Sequence, residues 1–377
     1  MIFQLLDKDQ LVSNLKTKIS DLEAELDGIV AKEDVKSTYK SVIKKNFVSI
    51  TRSIPKWEAI LQKYIANGSD IDPQKISPKL YILRKGEQTN ITKLFRVAQL
   101  NWSIPLSSGF GRRIRGLVFD EHNEKLIGIF GMCDPVYNRK SRDNFIGWTE
   151  TSKNRNLVNI MSTYILGSLP PYNDLLFGKF MAMIAGSKEI IGEFNARYFD
   201  NKGVISGKKK NAQLVGLINT TAFGKSSMMD RIKDPKWVFL GKTKGIGTSF
   251  QSDGIFDIAK QLVKLDNPDK YSSFEFGDGP NWKLRILRKA YKIAEIDQSI
   301  LEKGNEKGVY FAALASNWRE ILLANNFLKA DYTNTKSMQE MWDIYSEKVI
   351  NRSNRVKRWE NFDNKSIIKN VEVILNS

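Results

Sequence analysis

The sequence predicts an α/β protein, one central globular unit with helical additions at its N- and C-terminal ends. Apolar, β-prone runs recur between residues 114 and 315, each bounded by glycine or polar turns. Runs with apolar spacings of three and four precede and follow them. A chain of 377 residues with 41% hydrophobic and 11% aromatic content is sufficient for a substantial buried core. The expected division is a helical segment over 1–90, an α/β core over 91–330 and a basic helical tail over 331–377.

At the N-terminus, Leu15, Ile19, Leu22, Leu26 and Ile29 repeat at spacings of four and three among charged residues. They predict an amphipathic helix that pairs as a short coiled coil or packs on its own chain. A lysine-bearing helical stretch continues to Tyr64, broken near Pro55, and the turn-rich NGSDIDPQKISP ends it. Ile114–Asp120 and Leu126–Cys133 then read as a β-hairpin with His122 in its loop. Ile146-Gly147-Trp148 reads as the end of an extended piece, and the apolar run from Leu157 to Leu166 fits a strand or a helix. Pro170 and Pro171 stop that run, and Asn173 or Asp174 is placed to cap a helix from Leu175. A second block repeats the scheme. Leu214–Asn219 is a strand, Ser226 and Ser227 cap a short helix, and Trp237–Leu240 is another strand. The C-terminal third is helical and basic, and its last stretch mixes Trp359 and Phe362 with Arg352, Arg355, Lys357 and Arg358, a composition suited to backbone contact and base stacking.

Charge and rare residues narrow the chemistry. The formal charge of +17 points to a polyanionic partner, most often nucleic acid, against the plainer reading of a solvated basic surface. The opening MIFQLLDKDQ is too short an apolar run for a signal peptide, and nothing approaches about 18 apolar residues. A soluble, cytoplasmic protein without membrane contact is expected. A lone cysteine, Cys133, excludes an internal disulfide and a cysteine zinc cluster. With a single histidine, catalysis would run through carboxylates, hydroxyls, tyrosine, lysine or arginine.

Helix starts after strands present free N–H groups to anions. The two blocks therefore nominate Tyr172, Asn173, Lys179, Ser226 and Ser227 as catalytic candidates, and Arg155 and Gly178 as contacts for a cofactor or anion. Arg112, Arg113 and Arg115 at the entrance of the first hairpin strand could grip phosphates, as could Lys242 and Lys244 in a tight glycine loop and Arg355 and Arg358 in the tail. Asp120, Asp134 and Asp143 are an alternative magnesium set. Gly109 and Gly111 do not form a dinucleotide fingerprint, and GKT at 241–243 is not a P-loop because position 236 is lysine where the leading glycine belongs. Nucleoside triphosphate hydrolysis has no support.

Several ordered motifs carry a resemblance. WSIPLSSGFGRR from Trp102, DPVYN from Asp134, RDNFIGW from Arg142, LGSLPPYNDLLFGK from Leu166, TTAFGKSS from Thr220, LGKTKGIGTSF from Leu240, GDGPNW and VYFAALASNW together resemble the DruA family of Druantia anti-phage systems. The match covers roughly residues 90 to 330. The resemblance implies a role in prokaryotic defence, a defence-system partner protein, and an N-acetyltransferase-like mixed sheet with helices on both faces. Acyl-CoA enzymes of that superfamily carry a glycine-rich pyrophosphate loop after the fourth strand. Here that place reads Pro170-Pro171-Tyr172-Asn173-Asp174-Leu175-Leu176-Phe177-Gly178, so the usual loop is absent.

Three readings stay open. The first is a DNA-associated defence protein whose acyltransferase-like crevice acts on or senses nucleic acid. The second is a metal-dependent nickase using the three aspartates. The third is a non-catalytic DNA-binding subunit that recruits a partner enzyme.

Overall fold

The computed structural model describes residues 7–27, 40–84, 86–87, 89–104, 106–107, 109–202, 207, 209–243, 254–268, 282–301 and 307–376. The elements in chain order begin with α1 (Lys8–Asp27), α2 (Lys40–Ser53), α3 (Trp57–Tyr64), β1 (Pro78–Ile82), α4 (Asn90–Ala98), β2 (Arg113–Asp120) and β3 (Lys125–Cys133). They continue with α5 (Lys140–Ile146), α6 (Glu150–Asn156), β4 (Ile160–Ser168), α7 (Phe177–Ile184), α8 (Lys188–Tyr198), β5 (Gly216–Thr220) and β6 (Trp237–Thr243). The last are α9 (Ile255–Asp266), α10 (Trp282–Ile293), β7 (Lys307–Ala313), α11 (Trp318–Leu323), α12 (Met338–Arg355) and α13 (Lys365–Asn376). The chain divides into two compact units, one of residues 1–46, 103–105 and 243–306, the other of residues 47–102, 106–242 and 307–377.

The first unit is helical. On α1, Leu11, Leu15, Ile19 and Leu22 are buried, and the helix packs against α9. That helix buries Ile255, Ala259, Leu262 and Val263 at the same spacing. An ion pair of 2.8 Å joins Lys8 to Asp266. The apolar stripe of the sequence is therefore covered by its own chain. The Leu26 side chain and Ile29 lie outside the described residues.

The second unit is built on a seven-stranded mixed sheet in the order β1-β2-β3-β4-β5-β7-β6. Strands β1 to β4 are antiparallel neighbours. Strand β4 then runs parallel to β5, and β5 antiparallel to β7. Alternation sorts side chains to two faces. Leu217, Tyr310 and Ala312 join one core with Met161, Phe177, Phe180, Ile190 and Phe194, while Ile218, Val309 and Phe311 join a second with Ile146, Ile160, Ile321 and Leu322.

Two irregularities shape β4. The β3 register shifts between Gly131 and Met132, which pair with Ile165 and Thr163 and leave Tyr164 as the extra residue of a bulge. Pairing with β5 covers only Ile160 to Thr163, and a buried Asn219–Thr163 hydrogen bond of 2.6 Å ties the strands where they part.

The C-terminal helices complete this unit. Phe177 stacks on Trp342 at 5.6 Å and Phe180 on Tyr345 at 5.7 Å, fastening α12 to α7; each such pair contributes roughly 0.5–1.5 kcal/mol beyond its buried area. At Gly68 an added Cβ would lie 2.1 Å from the Glu360 carbonyl. Glycine is needed there for the approach that lets the Gly68 amide bond to the Phe362 carbonyl at 2.8 Å.

Several local expectations are corrected. Ile146, expected to end an extended piece, is the last residue of α5, which stops at Gly147 with φ 87°. Helix α7 starts at Phe177, after Leu176 takes a left-handed φ of 67° with no side-chain cap. Asn173 is therefore not its cap, and the Asp174 carboxylate instead accepts hydrogen bonds from Arg358. No helix follows Ser226; its carbonyl accepts from the amides of Met229 and Asp230 in a turn. Trp359, expected in a stacking tail, is 5% exposed and packs in the main core.

Candidate cation-lined cleft and the β4–α7 cluster

A cleft of about 1260 Å³ opens where β2 begins and β3 ends. Among the described residues its walls carry seven cations, Arg84, Arg112, Arg113, Arg115, Arg197, Lys202 and Lys210, and one acid, Asp134. Arg112 is committed to that acid: its backbone N–H and Nε donate to the Asp134 carboxylate at 3.0 and 2.8 Å. Its guanidinium also lies over the rings of Phe194 and Tyr198. Arg197 pairs with Glu193. The other five cations form no ion pair among the described residues.

This is a site with surplus positive charge. Arg113, Lys202 and Lys210 are exposed, and Arg115 is propped over Phe95 at 5.7 Å. Tyr137 and Tyr198 add aromatic surface to the lining. A groove lined by one sign of charge raises the local concentration of a polyanion, and neighbouring aromatic faces offer stacking platforms.

The residues that the two sequence blocks nominate fall elsewhere and separate into two groups. Lys179 and Ser226 come together beyond the C-terminal end of β4. The Lys179 Nζ donates to the Asp230 carbonyl at 2.7 Å. Tyr310 donates to the Asp230 carboxylate at 3.2 Å and accepts from the Ser226 amide at 2.9 Å. Burial, reinforced by the positive charges of Arg231 and Lys348, holds the Lys179 amine below its ordinary pKa. Burial also raises the Tyr310 phenol. Gly178 sits beside Met228 in the same neighbourhood, and Ser227 is exposed.

Tyr172 belongs to a different network. It is fully buried, and its hydroxyl donates to the Asp120 carboxylate at 2.9 Å. Asp120 also accepts from the amides of Ser77 and His122 at 2.9 and 3.1 Å. Desolvation, and then the Asp120 charge, push the phenol pKa upward. Arg155 is exposed on α6, which precedes β4. The nine residues of β4 span about 30 Å, so Arg155 and Lys179 lie near opposite ends of that strand.

The three aspartates do not form a metal set. Asp120 and Asp134 lie at opposite ends of the β2–β3 hairpin, about 25 Å apart along an eight-residue strand. Asp143 is paired with Arg142 and Lys153. Among the described residues, no group of three histidines, cysteines, aspartates or glutamates is placed to hold a metal ion.

After β4 the amides of Asn173, Asp174, Leu175, Leu176, Phe177 and Lys179 donate to carbonyls within that segment, so these six are committed to the turn and not to a ligand.

Of the remaining nucleic-acid candidates, Lys242 ends near the edge of β6, Arg355 is exposed with its Nε on the Asn351 carbonyl, and Arg358 is paired with Asp174. None of them lines the cleft. Lys244 lies outside the described residues. Sequence reasoning missed Arg84, Arg197, Lys202 and Lys210, which come from three separate segments, and it took Tyr310 for plain strand. The helices described include none long and apolar enough to cross a membrane.

Fold and site thus define a basic mixed-sheet protein with a cation-lined cleft. Comparison with known proteins gives the family: residues 30–324 match the model of DruA, described as Druantia protein DruA. The chain belongs to the DruA family. It is 40% identical over 267 residues to the Druantia protein DruA of Escherichia coli (strain UMEA 4076-1). That alignment covers 70% of this chain and 66% of the relative, so the chain spans a little under two thirds of the relative's length. No solved structure matches the chain.

Proposed function

We infer that this protein is a nucleic-acid-binding component of a prokaryotic anti-phage defence system, with DNA as the polyanion held in the cleft. The observation that carries this reading is the surplus of five unpaired cations on the cleft walls. Cations gathered in one groove with few acids among them hold a positive potential that attracts a polyanion. A run of backbone phosphates neutralises it while releasing its own counterions. The defence role, and a partner protein within the system, rest on membership of the DruA family and on likeness to a relative longer than the aligned region. An N-acetyltransferase-like core is part of the proposal, supported by the mixed sheet and by the parting of β4 from β5 after Thr163.

The test is a fluorescence-anisotropy titration of labelled single-stranded and duplex DNA at several salt concentrations. Five phosphate contacts predict a log–log slope of about −4 to −5, and an affinity loss on the order of 10²–10³ between 50 and 200 mM salt. Binding that is absent at 50 mM salt, or indifferent to salt, would refute the reading. Gel and mass analysis of the recovered DNA then separates a binding subunit from an enzyme. Unchanged DNA supports the binding subunit. A mass-shifted base supports an enzyme.

A further inference from the structure

Beside the cleft an aromatic ring is held out into solvent. Phe327, in the segment after α11, is 52% exposed, and Leu323 and Leu328 of the same segment are exposed with it. Two buried amide side chains clamp this segment at its ends. Asn156 donates through Nδ2 to the Leu322 and Ala324 carbonyls at 3.0 and 2.9 Å. Gln213 donates to the Leu328 carbonyl and accepts from the Ala330 amide, both at 2.8 Å. Between the clamps, Phe327 makes a T-shaped contact with Phe199, with centroids 5.9 Å apart and planes at 78°. The ring is therefore fixed in place while half of its surface stays open.

Phe199 joins this ring to the cleft. It directly follows Tyr198, a lining residue, and the Lys209 ammonium lies 5.9 Å from its centroid. A β-bridge sets Lys209 opposite Lys202, which lines the cleft with Lys210 and Ala212. The clamping Gln213 is the next residue after Ala212. The surroundings select the occupant. Lys202, Lys209, Lys210 and Lys329 are exposed along these two segments, as are Asn325 and Asn326. Residues 199–213 and 322–330 contain a single acid, Asp200, and it is paired with Lys209. Exposed apolar surface set among lysines suits a ligand that is both polyanionic and flat-faced, a nucleic acid whose bases are free to stack. A duplex keeps those faces within its own stack.

We propose that Phe327, braced by Phe199, is a stacking platform for a base of single-stranded DNA whose phosphates lie in the cleft. This rests on the reading of the cleft given above and adds the strand state to it: the ligand is single-stranded, one base stacks on Phe327, and the neighbouring lysines meet the flanking phosphates. Because the clamps already order the ring, little conformational freedom is lost when a base stacks on it.

Anisotropy titrations of the full chain with three labelled probes of equal length test the platform: a thymidine strand, a strand with abasic residues in place of the bases, and a duplex. The wild type should bind the thymidine strand about tenfold more tightly than the abasic strand. Phe327→Ala should weaken binding of the thymidine strand about tenfold, with the abasic and duplex affinities, the salt slope and the Tm unchanged. Phe327→Trp should retain the thymidine affinity. Equal wild-type affinity for the thymidine and abasic strands overturns the proposal and leaves the cleft reading standing. So does a Phe327→Ala chain that binds the thymidine strand as tightly as the wild type, which would turn the apolar patch over to a protein partner. An equal loss for all three probes together with a lowered Tm also overturns it, since the ring would then support the fold and not a base. No binding of any probe at about 50 mM salt removes the cleft reading, and this one with it.

Discussion

The two ends of β4 are built from similar residue types used in opposite ways. Beside its first residue, the cleft holds Arg84, Arg113, Arg115, Lys202 and Lys210, none in an ion pair among the described residues. Beyond its last residue, Lys179, Ser226, Asp230 and Tyr310 are hydrogen-bonded to one another. Gathered positive charge at one end favours an external anion, and paired polar groups at the other specify local geometry. A lysine's position in a motif says less about ligand binding than whether the fold supplies its counter-charge.

The largest predicted effect breaks the first side of this comparison. Reversing Arg113, Lys202 and Lys210 to glutamate should lower DNA affinity on the order of 100-fold and reduce the salt slope by about three, as read by anisotropy. These residues are exposed, so Tm should barely move. A smaller effect should separate structure from binding. Tyr172→Phe removes the hydroxyl that serves the buried Asp120 and should destabilise the protein by about 1–3 kcal/mol in urea unfolding, with DNA affinity unchanged.

A third prediction concerns Lys179. Its amine is held below the ordinary lysine value by burial and by Arg231 and Lys348. As pH rises it should therefore become reactive toward an acylating reagent earlier than the exposed lysines, measured by peptide mass spectrometry. An equal or later onset would contradict the lowered pKa. The smallest effect is at the α12 cap. Ser337 accepts from the Glu340 amide, and Glu340 returns the bond to the Ser337 amide. Ser337→Ala should cost about 1 kcal/mol. The Glu340 carboxyl, lowered to about 2 by the Ser337 amide and Lys188, contributes stability that is full above its unfolded value and is lost as pH falls toward 2.

The hairpin of β2 and β3 was legible because long apolar runs flank one polar loop, and β5 and β6 because each is a short apolar run between turns. β4 was ambiguous because Ile160, Met161, Tyr164 and Ile165 satisfy helical spacing as well as a buried strand, and pairing with β3 decides it. The α7 start shifted because Leu176 adopts a conformation that only tertiary contacts enforce, among them the Tyr345 hydroxyl on its carbonyl at 2.9 Å. Arg112, Arg113 and Arg115 could be read as a cationic strand entrance. Their partners Arg84, Arg197, Lys202 and Lys210 are remote in sequence, and only the folded sheet gathers them. The buried Arg142 gave no signal, since a charged residue in a polar run reads as exposed.

Photo-crosslinking of bromodeoxyuridine-substituted DNA to the full-length protein, followed by peptide mapping, addresses the binding surface directly. Crosslinks at Tyr137, Tyr198 and the peptides carrying Arg113 and Lys210 are the predicted result. Crosslinks confined to the helical unit, at the basic α10 segment of Arg288 and Lys289, with none in the cleft, would contradict the account.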